Sequence, residues 1–363
     1  MLDPALDVLV VGAGIAGLLS AIELHDHGLK VALADAGAAR PPASWAGGGI
    51  LSPLFPWRYP DATHLLCRDA LSDYHYWRRR ILLAGGEDPE IREDGALIYS
   101  RDPDRANQWA TRLGVPLKAA DNNHYQGSAG TSALSMPQLA SIRNPQLLVG
   151  LRHLVATLGI SILPHQVRSI CLTGEGVSVR FGKLDQQVPR VLVTAGAWAS
   201  ELLASWQHEP IFPVRGQMLL YRCPVPLPTI VLDEAGYLIP RADGLVLAGS
   251  TVEYHQQDMR PTETACKTLR AMAERLWPLL RESTLLAQWA GIRPGTRRQL
   301  PIIGQLPDSA GRVWLNGGHF RNGLVCGPAA ARLVGRLMVG ASSDIDPSPY
   351  APVPVPSSSS LLS

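Results

Sequence analysis

The sequence lacks long apolar runs, clustered cysteines and any block of like charge. No stretch reaches the roughly 18 consecutive apolar residues that suit a membrane-spanning helix, and the apolar run near the start, four residues long, is too short for a secretory signal. Basic and acidic residues nearly balance, 33 against 31, so nothing favours nucleic acid as a partner. The five cysteines lie far apart without metal-ligand spacing, which predicts reduced thiols, no metal ion and a cytoplasmic protein.

Glycine, in contrast, is plentiful, first in a strand–turn–helix pattern. The apolar run Val8–Val11 is followed by Gly12-Ala13-Gly14-Ile15-Ala16-Gly17 and then by apolar residues at helical spacing. The three glycines would make the turn, let the backbone approach a pyrophosphate and let the helix pack on the strand. A second strand pattern ends at Asp35, where a carboxylate can bind a ribose hydroxyl. We interpret this stretch as a site for FAD or NAD; the alternative is a purely structural glycine turn.

A second glycine cluster lies in Ser44-Trp45-Ala46-Gly47-Gly48-Gly49. Three consecutive glycines cost conformational entropy unless bare backbone must lie against something flat or crowded, such as a flavin ring. A flexible hinge is the alternative, but the flanking residues are apolar rather than the Ser/Gly mixture of a linker.

Two segments late in the chain add candidate chemistry. Arg293 lies between Gly291 and Gly295 in apolar surroundings, and a buried guanidinium needs an anion, for which its planar fork suits a carboxylate. Backbone carbonyls are the alternative partners. After Gly323 an apolar helix is predicted over residues 325–338, and its N-terminus would stabilise the negative charge of a reduced flavin.

The length of 363 residues suggests two domains. The run 190–193 repeats the strand-to-turn pattern of the opening and would return the chain to the nucleotide domain. Alternating strands between 217 and 249 predict an antiparallel sheet. We also expect single helices over 61–83 and 263–280, and a helix capped by Asn144 with Pro145 in its first turn.

Five segments in matching order resemble the glycine oxidases among the D-amino-acid-oxidase-like FAD enzymes. They are 12–17, 44–49, Tyr237-Leu238-Ile239-Pro240-Arg241, 289–295 and 318–323, and the resemblance covers residues 7–350. It implies an α/β fold, with an FAD-binding Rossmann-like domain of the glutathione-reductase type and an α+β substrate domain whose sheet is mainly antiparallel. On this basis the FAD-binding domain is predicted as 1–93, 144–209 and 290–346, the substrate-binding domain as 94–143 and 210–289, and a loose tail as 347–363.

The resemblance also implies an activity. It is oxidative deamination of glycine by hydride transfer to flavin N5, giving glyoxylate, ammonia and hydrogen peroxide, in the service of thiamine thiazole synthesis. Sarcosine and small D-amino acids are further candidate substrates. The expected partners are a small amino acid and O2, with no nucleic acid or membrane and a homo-oligomer left open. FAD is expected to be non-covalent, because no cysteine follows Arg293 within residues 294–304.

Two other functions stay open at this point. One is an FAD-dependent oxidase or dehydrogenase of another small amine or D-amino acid, and the other is a flavin-holding subunit without turnover.

Site residues follow from the same resemblance. The substrate-binding residues would be Arg293, Arg321 and Tyr237, and no side chain is assigned as general acid or base. His319 is expected to pack beside the flavin edge. The predicted cofactor-binding residues are Gly12, Ala13, Gly14, Ile15, Ala16, Gly17, Asp35, Ala36, Ser44, Trp45, Ala46, Gly47, Gly48, Gly49, Val167, Ala195, Gly196, Trp198, Gly318, His319, Phe320, Arg321, Asn322, Gly323, Leu324 and Val325.

Overall fold

Strands dominate the chain, which is described by a computed structural model over residues 3–37, 43–121, 125–206 and 208–354. The sequence also predicts a Gly- and Pro-rich loop over 36–42 and a polar loop over 121–125, of which residues 38–42 and 122–124 lie outside these ranges. The strands are β1 (Val8–Val11), β2 (Val31–Ala34), β3 (Ala96–Ser100), β4 (Lys118–Ala119), β5 (Ser132–Met136), β6 (Ser161–Leu163), β7 (Val167–Leu172), β8 (Val177–Phe181), β9 (Leu184–Val188), β10 (Arg190–Val193), β11 (Phe212–Arg222), β12 (Ile230–Asp233), β13 (Gly236–Pro240), β14 (Leu245–Gly249), β15 (Glu253–Tyr254), β16 (Thr284–Gly295), β17 (Ile302–Gln305) and β18 (Val313–Gly317).

Helices connect and cover these strands. The α-helices are α1 (Ile15–Asp26), α2 (Ala43–Ala46), α3 (Asp61–Cys67), α4 (Ala70–Leu83), α5 (Pro103–Leu113), α6 (Asn144–Thr157), α7 (Ala199–Leu202), α8 (Glu263–Leu276) and α9 (Gly327–Met338). Short 3-10 turns include Gly196–Trp198, Phe320–Asn322 and Ser348–Tyr350. No helix in the described part of the chain is long and apolar enough to cross a membrane.

The first sheet has the strand order β17-β18-β10-β1-β2-β6. All of its pairs are parallel except β17 with β18. Every residue of β1 and β2 is buried, as a parallel sheet covered on both faces requires. The predicted return of the chain beside β1 is confirmed, because Val8 pairs with Arg190 in parallel register. Helices α1, α6 and α9 contribute to the core on one face, while strands β7 and β8 contribute to the core on the other.

The second sheet is larger and mainly antiparallel, as predicted. Its order is β15-β11-β14-β13-β12-β3-β5-β4, and β16 also pairs with β11. The pair β12 with β3 is parallel. Helix α8 packs on this sheet through Leu269, Met272 and Leu276, which share a core with Leu219 and Val246. A third sheet, order β7-β8-β9, is antiparallel.

Several boundaries differ from the predicted ones for local reasons. The expected helix over 61–83 is divided into α3 and α4 at residues 68–69, and the one over 263–280 ends at Leu276 because Trp277, which precedes Pro278, is extended. The helix predicted over 325–338 begins only at Gly327. Asn144 is not a cap: it is the first residue of α6 and follows the extended Arg143.

The predicted loose tail is wrong for its first part. Tyr350 is fully buried, and its hydroxyl donates to the carbonyl of Ala62 at 2.6 Å. The remainder, 355–363, lies outside the described residues. The predicted domain boundary between 289 and 290 falls inside β16, so the larger sheet extends to Gly295. The division into domains otherwise stays a prediction.

Candidate active site

One cleft runs from the carboxyl ends of β1, β2 and β10 to the face of the second sheet. Carboxyl ends of parallel strands, where the strand order reverses direction, are the usual ligand sites of such sheets. Most of the predicted residues line this cleft: Gly12, Ala13, Gly14, Ile15, Ala16, Asp35, Ala36, Ser44, Gly47, Gly48, Gly49, Val167, Ala195, Gly196, Trp198, Tyr237, Arg293, His319, Phe320, Arg321, Gly323 and Leu324.

The turn after β1 has the geometry that its glycines predict. Gly12 has φ +108°, and a Cβ there would lie 2.7 Å from the carbonyl oxygen of Thr194. A Cβ at Gly17 would lie 1.9 Å from the Gly12 carbonyl oxygen, so the start of α1 packs directly on the turn. Gly14 precedes α1 without a side-chain cap. The backbone amide of Ile15 donates to the Ser44 hydroxyl at 3.1 Å, and the remaining first-turn amides suit an anion.

Asp35 follows β2, where the sequence places the ribose-binding acid. Its carboxylate accepts a hydrogen bond from Arg152 at 2.5 Å, and the same guanidinium donates to the carbonyl of Ala13 at 3.1 Å. Arg152 therefore ties α6 to both the acid and the glycine turn. Sequence reasoning missed this arginine, because 117 residues separate it from Asp35.

The glycine run 47–49 packs closely on protein along one side and lines the cleft on the other. Gly49 has φ +89°, and a Cβ there would lie 2.0 Å from the Ile142 carbonyl oxygen. A Cβ at Gly48 would lie 3.1 Å from the Tyr237 ring. Arg241, a buried residue, donates to the Gly48 carbonyl at 2.7 Å and holds this backbone in place. Burial lowers the pKa of Arg241 to about 10, which still leaves it charged at neutral pH.

Arg293 projects from β16 into the cleft. Its guanidinium donates to the Ser250 hydroxyl at 2.8 Å and to the Thr251 carbonyl at 3.1 Å. Burial lowers its pKa, while the neighbouring Tyr237 hydroxyl raises it; an arginine nevertheless stays protonated. No carboxylate pairs with this guanidinium among the described residues. The expected alternative therefore holds in part, because backbone carbonyls do bind Arg293; Glu253 raises its pKa from a distance without pairing with it.

The other two predicted substrate residues lie on the same cleft. Tyr237 is buried on β13, and its hydroxyl lies 3.5 Å from the Met218 sulfur. Arg321 is exposed, with its guanidinium carbon 5.4 Å from the Phe320 ring centroid. The cleft thus carries two cations and a phenol near one another, an arrangement suited to a small carboxylate.

His319 is buried at the edge of the cleft. Its Nε2 lies 2.9 Å from the side-chain oxygen of Asn316, so Nε2 carries the proton and Nδ1 is an acceptor. Burial lowers the pKa of His319 to about 4, which keeps the ring neutral at pH 7. Neither its Nδ1 nor the side-chain oxygen of Asn144 has a hydrogen-bond partner among the described residues. Both residues line the cleft.

Some predicted cofactor residues support the cleft without lining it: Gly17, Trp45, Ala46, Gly318, Asn322 and Val325. Trp45 packs edge-on against Trp289, and Val325 belongs to the core beneath α9. The sequence also missed lining residues, namely Val11, Ala34, Ala43, Ile50, Ser52, Leu54, Asn144, Gln166, Thr194, Ala197, Leu202, Ser250, Ile292, Pro294, Asn316 and Gly317. Most of these flank a predicted residue, whereas Asn144 and Ser250 give no sequence signal of their own.

The cleft fits a flavin dinucleotide on its own geometry. A glycine turn at a helix N-terminus suits the pyrophosphate. The unpartnered acceptors on Asn144 and His319 lie on the same cleft, and an isoalloxazine ring carries hydrogen-bond donors as well as acceptors. The fold and this cleft are those of a dinucleotide-binding protein in which the parallel sheet carries the glycine turn and the second sheet brings Arg293 to the same cleft.

Comparison with known proteins narrows this class. The family model described as DAO, FAD dependent oxidoreductase, matches residues 7–337. A "Glycine oxidase" of Pseudomonas aeruginosa is 42% identical over 95% of this chain and 98% of its own length. A "Bifunctional protein ThiO/ThiG" of Synechocystis is 29% identical over 92% of this chain and 51% of its own length. The crystal structure of glycine oxidase from Geobacillus kaustophilus has a TM-score of 0.87 at 23% identity, covering 96% of this chain and 98% of that one.

This chain belongs to the DAO family of FAD-dependent oxidoreductases. The predicted family, fold class and cofactor are thereby confirmed.

Proposed function

We propose that this protein oxidises glycine with O2 and water, giving glyoxylate and ammonia while O2 is reduced to hydrogen peroxide. The observation that carries the proposal is the guanidinium of Arg293, which faces the cleft beside Tyr237 without a carboxylate partner among the described residues. A half-buried cation without a paired carboxylate is stabilised by an anionic ligand. The 42% identity to a protein named glycine oxidase supports glycine as the substrate.

In this proposal the protein contributes binding and orientation. Arg293 and Tyr237 hold the substrate carboxylate, and Arg321 adds positive charge at the same end of the cleft. His319 is neutral, and its Nε2–H is engaged by Asn316, so it has no free proton to donate. Its pKa of about 4 makes the free Nδ1 a weak base, and we assign it no acid or base role. Correct placement of a bound substrate is itself a large source of rate enhancement.

FAD would be held at the turn 12–17, at Asp35 and along the glycine run 47–49. When bound, it supplies the acceptor for the two electrons removed from the substrate. We propose that it is bound non-covalently, because no cysteine is among the described residues that line the cleft.

The experiment is to purify the protein with FAD and add glycine. Under air, peroxide should form in step with glyoxylate; under nitrogen, glycine should bleach the flavin absorbance. The control replaces glycine with acetate, because acetate has the carboxylate but no amine to oxidise. Flavin that glycine leaves fully oxidised would refute the proposal.

The two alternatives have distinct outcomes in the same assay. Faster reduction by sarcosine or a small D-amino acid than by glycine would favour an oxidase of another amine. Reduction without peroxide would indicate a dehydrogenase. Bound FAD that no member of the panel reduces would indicate a flavin-holding subunit.

The biological setting is part of the proposal. Supply of the oxidised glycine product to thiamine thiazole synthesis is supported by the similarity to the ThiO/ThiG protein. A cytoplasmic location is supported by the cysteines, which are free thiols even where the sulfurs of Cys67 and Cys326 lie 3.2 Å apart.

A further inference from the structure

The side chain of Arg293 lies across the neighbouring strand β11. Arg293 pairs with Val214, and Gly216 is two residues further along β11, on the same face of the sheet. A Cβ at Gly216 would lie 2.1 Å from each terminal guanidinium nitrogen and 2.3 Å from the guanidinium carbon. The guanidinium therefore rests flat on the bare backbone of Gly216, and every other residue type would displace it.

Ser250 fixes the same group from the side. Its hydroxyl accepts from one terminal nitrogen of Arg293 at 2.8 Å, while the Thr251 carbonyl accepts from the other at 3.1 Å. The Thr251 hydroxyl in turn donates to the carboxylate of Glu253 at 2.6 Å. The Arg215 carbonyl also accepts, at 3.5 Å, from the nitrogen that donates to Thr251. These bonds orient the fork of Arg293 and leave the second hydrogen of the other terminal nitrogen, together with Nε–H, for a ligand in the cleft.

We propose that Gly216 and Ser250 are positioning residues that set the substrate-binding geometry of Arg293. The inference rests on the proposed role of Arg293 in holding the substrate carboxylate. A methyl group at 216 would push the guanidinium from 2.1 Å to at least the 3.4 Å of ordinary contact. Because the displaced atoms end a flexible side chain, the fold loses little, whereas a bidentate carboxylate site loses its geometry. A misplacement of about 1 Å in a site can cost on the order of 100-fold.

The experiment uses the holoenzyme and two readouts. The KM and kcat for glycine are measured, and the dissociation constant of acetate, a carboxylate without an amine, is taken from the perturbation of the flavin spectrum. The variants are Gly216→Ala, Ser250→Ala and the hydroxyl-retaining Ser250→Thr. Gly174→Ala is the matched control, because a Cβ at Gly174 meets nothing within 4 Å.

Gly216→Ala should raise the acetate dissociation constant and the glycine KM by on the order of 10- to 100-fold. The melting temperature and the affinity for FAD should stay near those of Gly174→Ala. Ser250→Ala should give a smaller rise in both constants, and Ser250→Thr should lie closer to the wild type. In an Arg293→Ala background, Gly216→Ala should add no further loss, because the two residues act through one contact.

Unchanged acetate binding in a folded Gly216→Ala protein would overturn the proposal, as would an equal loss in the Arg293→Ala background. If Gly216→Ala does not fold, Ser250→Ala decides by the same criteria. Failure of the proposed function can be distinguished from failure of this inference. If glycine does not reduce the flavin of the wild-type protein, glycine oxidation is refuted, while acetate binding still tests whether Gly216 and Ser250 position Arg293.

Discussion

In the proposed function, the residue on which the chemistry depends is Arg293. Truncating it to alanine would remove the cation proposed to hold the substrate carboxylate, and losing one partner of a desolvated charge pair costs roughly 2–5 kcal/mol. We therefore expect kcat/KM for glycine to fall by roughly 30-fold or more in Arg293→Ala. Steady-state kinetics at saturating O2 measure this change.

Lysine at the same position is the informative control for the arginine. It keeps the charge but lacks the planar fork, so Arg293→Lys should recover only part of the loss. An unchanged kcat/KM in Arg293→Ala would remove the carboxylate role from this residue altogether.

His319 makes stability depend on pH. Burial lowers its pKa to about 4 in the folded protein, whereas an unfolded histidine has a pKa of about 6.5. Below that value the unfolded chain binds a proton that the folded chain does not, so stability is lost as the pH falls from 6.5 towards 4. Between pH 7 and pH 5 this group alone should cost about 2 kcal/mol.

Urea unfolding of the holoenzyme at the two pH values measures this cost, and His319→Gln is the comparison. Glutamine can still donate to Asn316 but does not titrate. The pH-dependent loss should therefore be smaller in the variant by the stated amount. Identical pH dependence in the two proteins would contradict the assigned cause.

At the scale of elements, a single added methyl group in the glycine run 47–49 should lower the stability of the protein. A Cβ at Gly49 would meet the Ile142 carbonyl at 2.0 Å from a φ of +89°, so alanine there forces backbone to move. At Gly48 the nearest atom is the end of the Ile239 side chain, at 2.8 Å, which can rotate. Gly49→Ala should lower the free energy of unfolding by about 1–3 kcal/mol, and Gly48→Ala by less.

Chemical denaturation of both variants, together with the FAD dissociation constant, checks this order. Weaker FAD binding is expected mainly for Gly49→Ala, since its backbone must leave the cleft wall. A larger loss of stability for Gly48→Ala than for Gly49→Ala would mean that the backbone contact to Ile142 does not govern the turn.

Elements defined by short-range patterns were predictable. The strand–turn–helix at the start and the antiparallel strands between 217 and 249 agree with the structure, because apolar spacing and glycine positions act within a few residues. Helix ends were less predictable than helix positions. Trp277 takes an extended conformation before Pro278, so α8 ends before the predicted residue 280. Apolar periodicity continues through such a break and does not reveal it.

Site residues recruited from distant elements were not predictable. Asn144 was expected to cap α6, yet its amide donates to the Ser44 carbonyl, 100 residues away in sequence. Arg152 reaches Asp35 in the same manner. The contact of the Arg293 guanidinium with Gly216 depends on the register of β11 with β16. Register and helix packing are set by the assembled core, and a single sequence carries no local mark of them.

At the scale of the whole molecule, β16 connects the second sheet to the cleft. Its pairing with β11 places it in that sheet, and its end carries Arg293 to the cleft that the nucleotide turn also lines. The indole of Trp289 donates to the Ala46 carbonyl of α2 at 3.1 Å. Arg293 and the glycine run 47–49 are therefore linked through the packing of β16 on α2, and in the proposed function this packing sets where the substrate lies.

The segment 347–354 is the last part of this assembly. Tyr350 is fully buried and bonds to the Ala62 carbonyl of α3. Arg298, just beyond β16, donates to the carbonyls of Pro349 at 3.1 Å and Ala351 at 3.2 Å. The segment thus connects α3 to the loop that follows β16, although its Pro- and Ser-rich composition suggested a loose tail.

Two truncations isolate what this segment contributes. A chain ending at residue 354 keeps Tyr350, whereas a chain ending at 346 loses it together with the bonds to Arg298. Removing a large buried aromatic side chain costs about 3–5 kcal/mol, so the free energy of unfolding of the shorter chain should be lower by that amount and its urea midpoint should be lower than that of the longer chain. Tyr350→Phe, which lacks only the hydroxyl, should lose about 1 kcal/mol. Equal unfolding midpoints for the two truncated proteins would show that the buried tyrosine does not stabilise the contact between α3 and the loop after β16.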